Sequence, residues 1–463
     1  MKMQTKHLTK STMKTTRTLW TLFVALSGAS ALAQNGVVDL TKLHNYANQP
    51  RPAYITRDNT PSNNAITDAG ATLGRILFYD KRLSRNSTVS CSSCHEQSRG
   101  FGDDATASLG INGSTGRHSM RLINSRFSNE SKFFWDERAA SLEIQTTQPI
   151  QDHVEMGFSG ISGDPAFADL VARLTTIPEY RVLFAMTFGN ATITETRVQQ
   201  SLAQFVRSIQ SFDSKYDIGR AQANDNQPFP NFTTAENAGK VLFINTPGPG
   251  GGAGCAGCHA PPEFAIDPNS RNNGTTGVIA VGTGTDLTNT RSPSLRDAVG
   301  PSGQSNGGLM HDASKSTLAD VINHYNAIPG DNANLDNRLR RPGGGVQNLN
   351  LTQTQKDNLA AFLRTLTGAN IYTDQKWSTP FNAQGDLELI ILPASASTLT
   401  KNSNGTVTIR CSAAEGLTYR FESSTDLSQW NLITTVTTDA TGLIDRTVPM
   451  PYLNQFFRFT YIP

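Results

Sequence analysis

The sequence predicts a mainly α chain that ends in a small all-β, sandwich-like module. Three observations carry that prediction. Apolar residues recur at helical spacing behind capping signals through the middle of the chain. A short segment repeats itself ahead of two cysteine motifs. After about Phe381 the pattern changes to short β-type runs broken by turn residues.

The chain opens on a segment that reads as a leader rather than as fold. Lys2, Lys6, Lys10, Lys14 and Arg17 form a basic region without an acidic residue. Leu19 to Leu32 is apolar, and Ala31-Leu32-Ala33 is an A-x-A cleavage signal, so residues 1–33 are expected to be a signal peptide cut after Ala33. The alternative is an N-terminal membrane anchor. The stretch is short for a span, Gly28 and Ser30 interrupt it, and no stop-transfer pattern follows. The formal charge of +2 includes those five positive charges, so the remainder carries −3. No basic balance points to nucleic acid, and no later segment is apolar enough to span a membrane.

Cys91-Ser-Ser-Cys94-His95 and Cys255-Ala-Gly-Cys258-His259 hold four of the five cysteines. Each is a C-x-x-C-H run, the attachment signature of c-type haem. Two thiols add across the haem vinyl groups, and the adjacent histidine lies beneath the iron as proximal ligand. The alternatives are a redox C-x-x-C or half of a zinc site. A zinc site needs two more soft ligands, and the histidine would not have to follow both pairs. Two covalently bound haems, held by His95 and His259, are therefore expected. Covalent haem of this type also fits export to the bacterial periplasm.

The repeat supports two copies of one helical haem module. Ala69-Gly70-Ala-Thr-Leu73-Gly-Arg-Ile76-Leu77-Phe78 precedes the first motif, and Ala238-Gly239-Lys-Val241-Leu242-Phe243 precedes the second. Phe78 lies thirteen residues before Cys91, and Phe243 twelve before Cys255. Thr192-Ile-Thr-Glu195 reads as a capping box ahead of Val198, Leu202, Phe205, Val206 and Ile209. Thr352-Gln-Thr-Gln355 reads as another, ahead of Leu359, Phe362, Leu363 and Leu366, with Gly368 as stop. Residues 248–254 read as a flexible approach to the second motif, and 269–290 and 331–350 as long surface loops. In the last part, Thr406–Arg410, Leu417–Phe421, Leu432–Val436 and Phe456–Thr460 are strand candidates, and Cys411 is a buried structural thiol. The resulting division is a leader (1–33), a first haem domain (34–212), a second (213–383) and a β-sandwich-like module (384–463).

Between and beyond the two motifs the chain resembles the bacterial di-haem cytochrome c peroxidase family, including its MauG branch, over roughly residues 60–370. Phe134-Trp135-Asp136-Glu137-Arg138-Ala139 is similar to that family's F-W-D-x-R-A segment. Gln145, Pro149 and Val154-Glu155-Met156 follow at the family's spacing. Arg291-Ser-Pro-Ser-Leu-Arg296 and Met310-His311-Asp312 match two later elements. The resemblance implies two cytochrome c-like haem domains, with peroxide handled at the N-terminal haem and an electron received at the C-terminal one. It makes Glu155 the carboxylate that moves protons between the peroxide oxygens, Gln145 the amide that orients peroxide, and Trp135 the relay between haems. The bland readings are a solvated glutamate, a surface glutamine and a core tryptophan packed on haem.

Two departures stand out. Family peroxidases often carry a histidine that caps the first haem on the loop after it. Aligning Ser108-Leu109-Gly110 puts Ile111 there, while His118 lies nearby as a substitute cap, or as a contact to a haem ligand or a propionate. At the second haem, the place of a ligating methionine falls on Tyr325, fourteen residues after His311. MauG proteins resemble this in using tyrosine. His324, Met310 and an open position are the alternatives. The family also binds one calcium; the aligned asparagine ligand is His118 here.

The expected activity is reduction of hydrogen peroxide with electrons from a small donor protein, a cytochrome c or cupredoxin. The rival reading is a MauG-like oxidase acting on a protein or organic substrate, and a third is a non-catalytic electron carrier. A homodimer is among the expected assemblies.

Overall fold

The computed structural model describes residues 35–40, 42–248, 251–279, 284–291, 293–391, 395–413, 418–439, 442–452 and 455–462. The predicted leader lies outside them. The helices in chain order are α1 (Asp68–Tyr79), α2 (Leu142–Thr147), α3 (Phe167–Thr175), α4 (Pro178–Phe188), α5 (Glu195–Ser208), α6 (Lys215–Arg220), α7 (Thr234–Ile244), α8 (Leu318–Asn326) and α9 (Gln353–Arg364).

The internal repeat becomes two crossed helix pairs. α1 packs on α5 and α7 on α9, each at a glycine. A Cβ on Gly74 would stand 1.9 Å from the Ser201 carbonyl oxygen, and one on Gly239 would stand 1.9 Å from that of Asn358. Only glycine permits this approach. Four residues on, Phe78 meets Phe205 at 5.1 Å and 58°, and Phe243 meets Phe362 at 5.2 Å and 57°. The structural partner of Gly239 is thus Gly74, which aligns Phe78 with Phe243. The apolar faces of α5 and α9 are buried as their spacing predicts.

Capping follows the sequence at one end and not at the other. Thr352 closes a reciprocal box with Gln355 at the start of α9. α5 instead starts at Glu195 with Thr194 as N-cap, accepting from the Arg197 N–H. The predicted Thr192 box is two residues early.

The supposed surface loop at 269–290 is a correction for its described residues, 269–279 and 284–290; 280–283 lie outside them. Asn272, Thr275 and Asn289 are buried. Asn272 Nδ2 donates to Asn289 Oδ1 at 2.5 Å, and Asn332 Nδ2 donates to Asn272 Oδ1 at 2.9 Å. Asn272 and Asn289 also donate to the Thr275 carbonyl, at 3.1 and 3.2 Å, so short amides satisfy a buried, irregular backbone. The 331–350 stretch likewise buries Leu335, Asp336 and Leu339 around a short 3-10 turn. Residues 370–381 return to the first core: Trp377 is buried and donates to the Ser208 carbonyl at 3.1 Å, and Tyr79 donates to the Trp377 carbonyl at 2.6 Å.

Strands β1 (Val37–Asp39), β2 (His259–Ala260), β3 (Ala265–Ile266) and β4 (Glu388–Ile390) are short; β2 pairs with β3, and β1 runs parallel to β4. The C-terminal part holds β5 (Ser395–Lys401), β6 (Thr406–Ser412), β7 (Thr418–Ser424), β8 (Asn431–Thr437), β9 (Leu443–Pro449) and β10 (Phe456–Ile462). They form two antiparallel three-stranded sheets, ordered β5-β6-β9 and β10-β7-β8. Alternate residues Val407, Ile409 and Cys411 of β6 share one core with Phe421 of β7 and Phe459 of β10, as a two-residue pleat requires. Val182 of α4 joins that core, which fixes the sandwich to the helical body. Strands β5 and β9 were not anticipated.

Candidate functional site

The first C-x-x-C-H folds into a 3-10 turn that delivers all three reactive side chains to one place. The N–H groups of Cys94 and His95 both reach the Cys91 carbonyl, at 3.2 and 3.0 Å. His95 Nδ1 donates to the Phe101 carbonyl at 3.1 Å. That bond fixes the tautomer and leaves Nε2 as the lone-pair nitrogen, as in a metal-ligating histidine. Burial lowers the His95 pKa, with the Phe101 carbonyl opposing it. Burial pushes the Cys91 thiol up to about 12 and Cys94 to about 11. Thiols so held are poor redox nucleophiles, which weighs against a C-x-x-C redox centre.

His95 faces a cavity of about 570 Å³ that is also lined by Gln145, Glu155, His118 and Trp135. A smaller space of about 70 Å³ adjoins Cys91, Cys94, His95, Gln145 and Glu155. Arg121 and Arg291 line the larger cavity, and each keeps a buried Nε without a partner. Burial lowers both guanidinium pKa values, that of Arg291 to about 10. Two thiols on the smaller space, two buried guanidinium groups on the larger one, and a correctly tautomerised histidine shared by both fit a flat, doubly anionic haem.

Glu155 and Gln145 reach that cavity from different elements. Gln145 stands on α2, capped by Ser141. Glu155 follows a tight turn in which Asp152 Oδ1 accepts from the N–H groups of Val154 and Glu155, at 2.8 and 3.0 Å. The 108–112 loop is pinned behind it: the Ile111 N–H donates to the Glu155 carbonyl at 3.0 Å. Gly110 is required there, because a Cβ would stand 2.1 Å from the Val154 oxygen. Burial, then the Asp152 charge, push the Glu155 carboxyl up to about 7, with Arg138 opposing.

Trp135 joins the two halves of the chain. Its Nε1 donates to the His118 carbonyl at 2.7 Å, and its own carbonyl accepts from Thr290 and Arg291 at 2.8 and 3.0 Å. Its ring meets His311 edge-on at 6.3 Å. The His118 N–H donates to the His311 carbonyl at 2.8 Å, and its Nδ1 donates to the Ala105 carbonyl at 2.8 Å. A histidine has no side-chain oxygen to offer where the resemblance places a calcium ligand, and its ring is already engaged. Oxygen ligands for such an ion would therefore have to come from backbone carbonyls, as most of them do in the family the chain resembles.

The second motif repeats the first. Cys255 and Cys258 are pushed up by burial to about 12 and about 11. His259, on β2, is lowered by burial to about 4. The Phe264 carbonyl partly offsets that shift, but Nδ1 has no aligned hydrogen-bond partner. Tyr325 lies near these cysteines; burial raises its pKa, the Asn273 hydrogen bond opposes the rise, and Cys258 and Cys255 add to it. His324 points elsewhere: its Nε2 donates to the Asn273 carbonyl at 2.8 Å. Asn273 itself was missed. An asparagine in a Gly/Thr/Asn-rich segment carries no signal of its own before the segment is seen to be buried.

Residues 68–225 match the family model described as di-haem cytochrome c peroxidase. The chain is 30% identical over 330 residues to the methylamine utilization protein MauG of Methylophilus methylotrophus, across 69% of this chain and 89% of that protein. It is 29% identical to the cytochrome c551 peroxidase of Nitrosomonas europaea, across 51% of this chain and 65% of that one. The crystal structure of a MauG-like protein associated with microbial copper homeostasis aligns with a TM-score of 0.57 at 29% identity, over 72% of this chain and 99% of that chain. Fold and site define a peroxidase-type oxidoreductase that uses haem. The chain belongs to the di-haem cytochrome c peroxidase family, whose members among its relatives include both MauG proteins and peroxidases.

Proposed function

We propose that this protein reduces hydrogen peroxide to water at the first centre, with two electrons from a small donor protein entering at the second. The observation that carries this reading is Glu155, a carboxyl raised to about 7 in the cavity that His95 also lines. Haem, bound covalently through Cys91, Cys94 and His95 and through Cys255, Cys258 and His259, would supply reducible iron at each centre. The rest is the work of side chains. Gln145 holds peroxide by hydrogen bonding. Glu155, ionised, takes the proton from the near oxygen and returns it to the departing one, so that two protons and two electrons turn one peroxide into two waters. A carboxyl with a pKa near the working pH suits both halves of that task. Trp135, packed between His118 and His311, is the relay for electrons. His118 acts beside the first centre as cap or supporting contact.

On this reading the chain after the leader divides near 212/213 and 383/384, although residues 370–381 cross that division to pack on the first core. Export to the periplasm follows from the leader; among the described residues no helix is long and apolar enough to cross a membrane. One observation favours the MauG-like reading, oxidation of a protein or organic substrate at a distance: a half-buried Tyr325 near the second pair of thiols. A phenolate ligand there would favour the oxidised states of iron.

Glu155→Gln decides between catalyst and carrier. It should keep two haems by intact mass and an unchanged oxidised spectrum, while peroxide turnover falls about 10²–10⁴-fold. Unchanged turnover would remove Glu155 from the chemistry.

A further inference from the structure

Around the second cradle, two donor atoms of opposite preference meet one amide. Asn273 Nδ2 donates to Tyr325 Oη at 3.2 Å and to Met310 Sδ at 3.3 Å. The orientation of that amide is settled by its other end, because Asn273 Oδ1 accepts from the Thr275 N–H at 3.0 Å. The phenol oxygen and the thioether sulfur therefore share one donor and lie no further apart than the two bonds together. The third donor of the region is removed by the same residue, whose backbone carbonyl holds His324 Nε2. Tyr325 and His324 are also successive on α8, about 100° apart around the axis.

Met310 is held in place at a cost. Its φ is +72°, in the left-handed region that a non-glycine side chain resists. Neighbouring backbone bonds maintain it: Leu309 N–H to the Lys315 carbonyl at 2.8 Å, and Ala313 N–H to the Met310 carbonyl at 3.3 Å. A strained backbone that holds a thioether on the same amide as a half-buried phenol is a specific arrangement. A phenolate is a hard donor suited to Fe(III), and a thioether is a soft one suited to Fe(II).

We propose that Tyr325 and Met310 exchange as distal ligand of the second haem when its oxidation state changes, with Asn273 as the positioning residue that receives the displaced donor. This rests on the second cradle holding haem. One electron from the donor protein reduces the iron. The bond from Tyr325 oxygen to iron breaks, the bond from Met310 sulfur forms, and the phenolate takes one proton from water. Reoxidation reverses each change. Met310 is joined to His311, whose ring meets Trp135 and whose carbonyl accepts from His118. The exchange therefore acts one residue away from the contact between the two halves of the chain.

The test uses full-length protein whose intact mass shows two haems, labelled with methyl-13C methionine. Reduced protein should show one methionine methyl resonance shifted far upfield by a haem ring current. It should be absent from the oxidised protein and lost in Met310→Leu. The oxidised protein should show a tyrosinate-to-iron charge-transfer band, lost on reduction and in Tyr325→Phe. The second haem's midpoint potential should fall in Met310→Leu and rise in Tyr325→Phe. Two haems without the shifted resonance, or a reduced spectrum unchanged by Met310→Leu, overturns the exchange alone. Fewer than two haems overturns it together with the reading of the second cradle.

Discussion

The two cysteine modules share a frame and differ in the loops around it. In each, a glycine lets two helices cross at backbone contact, and a phenylalanine four residues on packs across the crossing at nearly the same distance and angle. Phe78 also meets Phe101 at 6.1 Å, as Phe243 meets Phe264 at 5.6 Å, and both partners take a left-handed backbone, at φ +58° and +55°. Beyond the frame they diverge. The first histidine is tied to the Phe101 carbonyl and opens on a cavity with a carboxyl and an amide. The second has no aligned Nδ1 partner, and a phenol, a thioether and an amide converge nearby. A hydrogen bond on the far nitrogen raises a histidine's basicity as a ligand, so in the proposed ligand role His95, with the aligned bond, would be the more basic of the two. Helices supply the mount, and irregular segments supply the division of labour.

That comparison breaks most visibly at the crossings. Gly74→Ala and Gly239→Ala each drive a methyl group to 1.9 Å from a backbone oxygen. Overpacking of this kind costs about 1–3 kcal/mol or more, and the two should cost alike. Gly330→Ala, with nothing within 4 Å, should stay within about 0.5 kcal/mol of the parent. Thermal unfolding of the haem-loaded protein measures all three. A large loss at one crossing only would mean that the modules are not equivalent frames.

How much of this was legible in the sequence follows the same divide. The frame was, because it rests on local rules: a C-x-x-C-H run, apolar residues at helical spacing, and a repeat whose register Gly74 and Gly239 complete. The sandwich was read from four of its six strands. β9 escaped because among its residues only Ile444 and Val448 turn inward, too few to show alternation. Glu155, Gln145 and Trp135 came from family resemblance, since nothing in their spacing alone singles them out. Asn273 was not legible at all. Its role depends on Tyr325, Met310 and His324 arriving from distant parts of the chain, and composition reads such a segment as loop.

A smaller effect tests the helix starts that flank each module. Thr352 and Gln355 exchange side-chain-to-backbone bonds at both ends of the box, whereas Thr194 contributes one bond, to Arg197 N–H. Replacing an N-cap threonine by alanine costs about 1 kcal/mol, within about 0.5–2. Thr352→Ala should lie toward the top of that range and Thr194→Ala toward the bottom, as read by denaturant midpoints at constant slope.

The smallest expected shift separates the centres by pH. Glu155 must be ionised to accept a proton from peroxide, so kcat/KM should rise with pH through about 7, the value to which burial and then Asp152 push its carboxyl. Burial is the larger cause and cannot be removed without closing the cavity. Asp152 can be changed. Asp152→Asn keeps an oxygen to accept from the Val154 and Glu155 N–H groups, so the turn survives while the like charge is lost. The limb should move to lower pH, by less than burial contributes. Arg138→Gln removes the charge that favours ionised Glu155, and should move the limb the other way. Neither variant should alter the EPR signal of a haem held at the second motif, the centre proposed to involve Asn273, Met310 and Tyr325. A limb that stays in place in both variants would mean that some other group controls peroxide turnover. A second haem that responds to Asp152→Asn would mean that the two centres are not separable in the way their loops suggest.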